Sequence, residues 1–151
     1  MNGILTAERM AFEQVQFATV CLALIEPDKS SVCIVSAGHP RPILLGDGRA
    51  RELDLPAGPP IGVDAASRWD EVRVDLPPRP WTLLLYTDGL IEGRSRPDGP
   101  RPYGDERLLG LVGGMEPPLG EDELDQLLAV VKHANGGPMP DDVVVLAVSP
   151  A

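Results

Sequence analysis

The sequence predicts an α+β fold built on antiparallel strands, and three stretches carry that expectation. Residues 17–45 read as successive hairpin strands separated by turn residues, residues 81–86 form an almost wholly apolar run, and residues 121–134 carry the apolar period of a helix.

Taken in order, Ile4 to Gln14 place Ile4, Ala7 and Ala11 on one helical face with Leu5 and Phe12 beside it, which predicts a short helix. Phe17 to Ile25 is rich in strand formers and stops at Glu26-Pro27-Asp28-Lys29-Ser30, a turn by its chemistry. Ser31 to Ser36 is the returning strand. Ala37-Gly38-His39-Pro40-Arg41-Pro42 follows as a loop stiffened by prolines, then a short strand at Ile43 to Leu45 and a turn at Gly46-Asp47-Gly48. Residues 56–63 hold three prolines and two glycines and read as loop. Trp69 to Leu76 alternates polar and apolar residues as a half-exposed antiparallel strand does. Trp81 to Tyr86 does not alternate, which predicts a central strand covered on both faces. Asp98-Gly99-Pro100 reads as loop, and Asp105 to Val112, acidic first and then leucine-rich, suits a short helix. In Glu121 to Ala134, Glu121, Asp122 and Glu123 sit at the positive end of the predicted helix, and Leu124, Leu127, Leu128 and Val131 share one face. Asn135-Gly136-Gly137-Pro138 stops it. Asp141-Asp142 then leads into Val143 to Val148, a buried strand by its β-branched content.

The chain of 151 residues with 43% apolar content is the size of one domain with a real core. Its formal charge of −10 repels nucleic-acid backbones and anionic membranes. Carboxylates in such excess can also await a cation. Two cysteines, Cys21 and Cys33, give neither a disulfide framework nor a zinc spacing and read as buried apolar thiols. There is no apolar run of about 20 residues and no signal-peptide order, so a cytosolic location is expected.

A carboxylate directly after an apolar strand, as in Tyr86-Thr87-Asp88-Gly89, is held by a rigid element and can offer oxygen to a hard cation. It can equally be the first half of an Asp-Gly turn. Asp141 and Asp142 stand before the last strand, so two strands could present acids to one place; that stretch also fits a turn or a solvated strand start. Two carboxylates leave most of the roughly six oxygen positions of Mg2+ or Mn2+ to other ligands and water. Phosphate-ester hydrolysis by activated water suits such a site. No Gly-x-Ser-x-Gly elbow, phosphate-binding Gly-rich loop or strand-end Asp-x-Asp competes with that chemistry.

Phe17-Ala18-Thr19, Ser36-Ala37-Gly38-His39-Pro40, Pro60-Ile61-Gly62-Val63, Leu85-Tyr86-Thr87-Asp88-Gly89-Leu90-Ile91-Glu92, Tyr103-Gly104-Asp105-Glu106-Arg107-Leu108 and Asp141-Asp142 fall in a particular order. In that order they resemble the PPM-type metal-dependent serine/threonine phosphatases of the bacterial SpoIIE/RsbU branch. The resemblance spans nearly the whole chain. It implies a partial α-β-β-α sandwich of mostly antiparallel sheets, Mn2+ or Mg2+ as cofactor, Asp88 and Asp141 as metal ligands, and a phosphorylated signalling protein, such as an antagonist of an anti-sigma factor, as substrate. The family's two further metal-binding acids, in Gly-Asp-x-Tyr-Asp-like and Asp-Val-x-Gly-His-Gly-like stretches, have no counterpart in these residues. Roughly the first half of the family fold is therefore expected to be missing, with part of the metal site.

His39 is read as a local structural hydrogen-bonding group. Arg94, Arg96, Arg101 and Arg107 cluster around the loop after Asp88, where they suit either a solvated loop or contact with a phosphoprotein. Glu92 matches the family pattern, and an ion pair with a nearby arginine explains it equally. Two functions stay open. One is a metal-dependent phosphatase polypeptide; the other is a non-catalytic half-domain that self-associates or is completed by a missing half through its uncovered edges.

Overall fold

The computed structural model describes residues 17–93 and 103–150, which fall into two compact units. Among the described residues the strands are β1 (Val20–Ile25), β2 (Ser31–Ala37), β3 (Ile43–Gly46), β4 (Arg49–Glu52), β5 (Val72–Asp75), β6 (Trp81–Tyr86) and β7 (Val145–Val148). The helices are α1 (Gly89–Glu92), α2 (Asp105–Gly113) and α3 (Glu121–Asn135). The helix expected at residues 4–14, and Arg94, Arg96 and Arg101, lie outside the described residues.

The first unit holds the described residues up to 41 together with Asp54–Leu76. Its sheet is antiparallel in the order β1-β2-β5. The turn between β1 and β2 forms where its residue types predict. Asp28 Oδ1 accepts from both the Ser30 backbone N–H at 3.0 Å and its hydroxyl at 2.8 Å, which holds the Asp28 carboxyl below its usual range. β2 is the buried member, with Val32 and Ile34 fully enclosed. β1 is an edge strand whose Leu22 and Leu24 face outward. The strand expected from Trp69 is shorter than its alternation suggests. Trp69 instead stacks on Gly58 and donates its indole N–H to the Pro59 carbonyl at 2.8 Å, so it pins the proline-rich loop rather than entering the sheet.

The cysteine expectation needs correction. Cys21 and Cys33 are free and only half-buried, and the register sets them opposite Ser36 and Leu24 rather than each other. Desolvation raises both thiols, with the Glu71 charge a further cause at Cys33.

The second unit, Pro42–Leu53 and the described residues from Pro77 onward, carries an antiparallel sheet in the order β4-β3-β6-β7. β6 is central and buried along nearly its whole length, as its unbroken apolar run predicts. The turn at Asp47-Gly48 has positive φ at both residues, the geometry that matches the twist of a two-residue hairpin. It leads into β4, Arg-Ala-Arg-Glu, which the sequence reading missed: a charged edge strand has no apolar face to announce it. β7 is also an edge and not the buried strand expected, with Leu146 and neighbouring Val144 more than half exposed.

α2 packs over β3 and β4 through Leu108 and Val112. α3 buries Leu127 and Val131, two of the four positions read as its apolar face. Its start is held by Glu123 Oε2, which accepts the Gly120 N–H at 2.8 Å. These residues join Ile43, Leu45, Leu84, Tyr86 and Leu90 in one apolar cluster.

Candidate metal centre

β6 ends at Tyr86, and the next three residues are built against the segment that precedes β7. The Thr87 N–H donates to the Val144 carbonyl at 3.1 Å. The Thr87 hydroxyl donates to the Asp142 carbonyl at 3.0 Å and accepts the Val144 N–H at 2.9 Å. Thr87 thus clasps a segment 55 residues away at Asp142. Thr87→Val keeps the shape and removes the hydroxyl, leaving a backbone acceptor and a backbone donor unmatched at a half-buried position. A loss of about 1–2 kcal/mol is expected in urea unfolding; a midpoint like that of the wild type would mean that water replaces the clasp.

Gly89 makes the approach closer still. A Cβ there would lie 2.5 Å from the Asp142 carbonyl oxygen and 3.2 Å from the Asp141 carbonyl carbon. The chain turns at Asp88-Gly89, where the Leu90 N–H donates to the Thr87 carbonyl at 3.0 Å, without a positive φ at Gly89; the glycine opens α1 and permits the contact of one backbone with another.

The two acids singled out in the sequence flank this contact. Asp88 is the N-cap of α1, and its Oδ1 accepts the Gly89 N–H at 3.0 Å. Asp141 Oδ1 accepts the Asp142 N–H at 2.7 Å. Each carboxylate therefore has one oxygen steadied by the adjacent backbone, and both side chains are on exposed residues. Hard oxygens of this kind suit Mg2+ or Mn2+, which are commonly held by one or two carboxylates with water completing the sphere. Among the described residues no group of three or more His, Cys, Asp or Glu side chains is arranged to hold a metal ion.

The surrounding structure braces this end of β6. The Tyr86 hydroxyl donates to Asp105 Oδ1 at 3.4 Å, and burial, aided by the Asp105 and Glu52 charges, pushes the phenol far above its usual range. Tyr103 N–H donates to the Gly93 carbonyl and Gly104 N–H to the Ile91 carbonyl, so α1 is tied to the approach to α2. Glu92 is exposed at the end of α1. His39 belongs to the first unit, where its Nδ1 lies 3.3 Å from the Thr19 hydroxyl and its carbonyl accepts from the Ser36 hydroxyl at 3.3 Å. That agrees with a structural histidine. Sequence reasoning missed Thr87 and the backbone contact at Gly89; the Thr-Asp-Gly order was visible, but the partner backbone was not.

The profile of the family Stage II sporulation protein E (SpoIIE) matches residues 3–150. The chain belongs to the SpoIIE family. No curated protein matches it by sequence. Among solved structures it is similar to the SiaA-PP2C domain of Pseudomonas aeruginosa, at 19% identity and a TM-score of 0.76 over 99% of this chain and 58% of that one. It is also similar to the Mn-presoaked phosphatase domain of the cell fate determinant SpoIIE from Bacillus subtilis, at 16% identity and a TM-score of 0.69 over 98% and 62% of the two chains. The RsbU and RsbW domains of a Mycobacterium tuberculosis protein give 22% identity and a TM-score of 0.63, over 94% of this chain and 38% of that one. At such identities the likeness is one of fold, and it is the fold that the SpoIIE/RsbU resemblance implies. The chain spans about three-fifths of the first two domains, as a partial SpoIIE-family fold does.

Proposed function

We propose that this chain supplies the Asp88 and Asp141 ligands of a divalent-metal site in a PP2C-type phosphatase acting on phosphoserine or phosphothreonine of signalling proteins, antagonists of anti-sigma factors among them. One observation supports the reading above the others: the backbone of Asp141-Asp142 rests on Gly89, immediately beside Asp88, in a contact that only glycine permits. Asp88 and Asp141 are carried by segments that touch at Gly89, and carboxylate oxygens offered from both suit a shared hard cation. Asp88 and Asp141 hold and orient, and Thr87 keeps their two segments in register. When bound, Mn2+ or Mg2+ lowers the pKa of water and offsets charge on a phosphoryl group.

The site as carried by this chain has two acids where the family has four, so weak metal binding is expected. Calorimetric titration of Mn2+ into the chain, Asp88→Asn and Asp141→Asn tests this. Each variant is expected to bind on the order of tenfold more weakly, the effect of losing one charged ligand. Three identical titrations would remove the metal site from consideration.

A second reading has its own support. Leu22 and Leu24 on edge strand β1, and Val144 and Leu146 along edge strand β7, leave apolar side chains uncovered, as a half-domain that associates or is completed in trans would. Sedimentation separates the two: a compact monomer at high concentration counts against association, while release of phosphate from a phosphoserine peptide by this chain alone makes the two acids sufficient.

A further inference from the structure

Three turns meet around a cleft of about 330 Å3 in the second unit, where β6 begins. They are the β3–β4 turn at Asp47-Gly48, residues 78–80, which lead into β6, and residues 113–117, which end α2 and leave it. The metal centre lies at the other end of the strand. The six residues of β6 put Asp88 on the order of 20 Å away.

The walls are braced. A Cβ on Gly46 would meet the Pro77 ring at 2.6 Å, so the hairpin sits directly on the proline stretch. The Gly114 and Met115 N–H groups donate to the Leu111 and Val112 carbonyls at 3.2 and 3.0 Å, which holds the chain where it leaves α2. Farther along, the Leu119 N–H donates to the buried Thr82 hydroxyl at 3.0 Å and ties the same loop to β6.

The lining has two characters. Prolines from two walls and half-buried Met115, itself packed on the apolar cluster, offer an apolar surface. Asp47 and Glu116 stand exposed on different walls. Among the described residues, ion pairs join Arg41 to Asp54 and Arg73 to Glu26, and neither pair involves these two acids. α2 ends at the cleft with no basic residue in its last turn, so the partial negative charge of the helix end adds to theirs. Against these stands one cation of the lining, Arg79. The balance is negative. What complements such a lining is an apolar stem that ends in a cation, the make-up of a lysine or arginine side chain. A polyamine carries charges along its whole length and would leave most of them over proline and methionine, so a side chain presented by a protein fits better.

We infer that this cleft is a docking site for a lysine or arginine side chain of a partner protein, its stem on Met115 and the prolines and its charged head toward Asp47 and Glu116. The inference is independent of the phosphatase reading and adds a protein contact remote from the metal centre.

The probe is a blocked glycine peptide with one central lysine, set beside its N-acetyl-lysine twin and spermidine. Each is titrated into the isotope-labelled full chain while the amide shifts are followed by NMR. Half-saturation by the lysine peptide in the millimolar range is expected, because an open ion pair contributes little in water. Its shifts are expected at Gly48, Gly114, Met115 and Glu116, and the twin, which keeps the stem and loses the charge, is expected to cause none. Glu116→Gln and Asp47→Asn are each expected to weaken binding about threefold, the loss of one exposed charge partner. Asparagine tolerates the positive φ of residue 47, so that variant keeps its turn. Both variants are expected to bind Mn2+ as the wild type does, which separates a failure here from a failure of the metal centre. No response, an equal response to the twin, shifts gathered at the acidic start of α3 instead, tighter binding of spermidine through the same amides, or variants that titrate like the wild type overturn the assignment.

Discussion

Gly89→Ala is expected to destabilise the protein by about 1–3 kcal/mol and to weaken Mn2+ binding with it. A methyl group at this position would stand 2.5 Å from the Asp142 carbonyl oxygen, well inside contact distance. The obstacle is backbone and not the end of a flexible side chain, so relief requires the Asp141–Val144 segment to move away. That movement stretches both hydrogen bonds of the Thr87 hydroxyl and draws Asp141 from Asp88. Gly110→Ala is the control. Gly110 lies inside α2, is exposed, and has open space where its Cβ would be. Alanine there is expected to stabilise by about 0.5–1 kcal/mol, from helix propensity and a less flexible unfolded chain. Urea unfolding of the two variants should therefore move in opposite directions. Equal midpoints would mean that the Gly89 contact relaxes without cost, and the close approach of the two acid segments would lose its significance.

Leu84→Ala is expected to cost more, about 2–5 kcal/mol, because it removes a fully enclosed side chain from central strand β6 and leaves a cavity among close-packed neighbours. Leu84 pairs with Ile43 on one side and Ala147 on the other, so the strand that delivers Asp88 depends on it directly. Leu146→Ala, on edge strand β7, is expected to change stability by no more than about 0.5 kcal/mol, since Leu146 is 55% exposed. The two leucines occupy adjacent positions of one ladder, in strands that both read as apolar runs. Comparable losses in unfolding would contradict the strand order.

That pair of leucines shows where local pattern stops being informative. Composition and period were sufficient for the β1–β2 hairpin, for the central character of β6 and for α2 and α3, because a turn, an unbroken apolar strand and a helical stripe are properties of neighbouring residues. They were not sufficient for β7, whose valines and leucine look the same whether a further strand lies beside them or not. Nor were they for β4, whose arginines and glutamate form a strand only because β3 offers a free edge. Trp69, which fits the alternation of β5, was claimed by the proline loop instead.

The acids divide in the same way. Asp88 and Asp141 stood out from the sequence by themselves, each beside a strand, and the order of the surrounding motifs led to the SpoIIE family that the profile match shows. Their neighbourhood was a matter for tertiary structure alone. Whether Asp88 faces the segment of Asp141 depends on the pairing of β6 with β7, on the Thr87 clasp and on a backbone contact at Gly89. Such a contact leaves no local period, because its two halves meet only after the sheet has brought distant parts of the chain side by side.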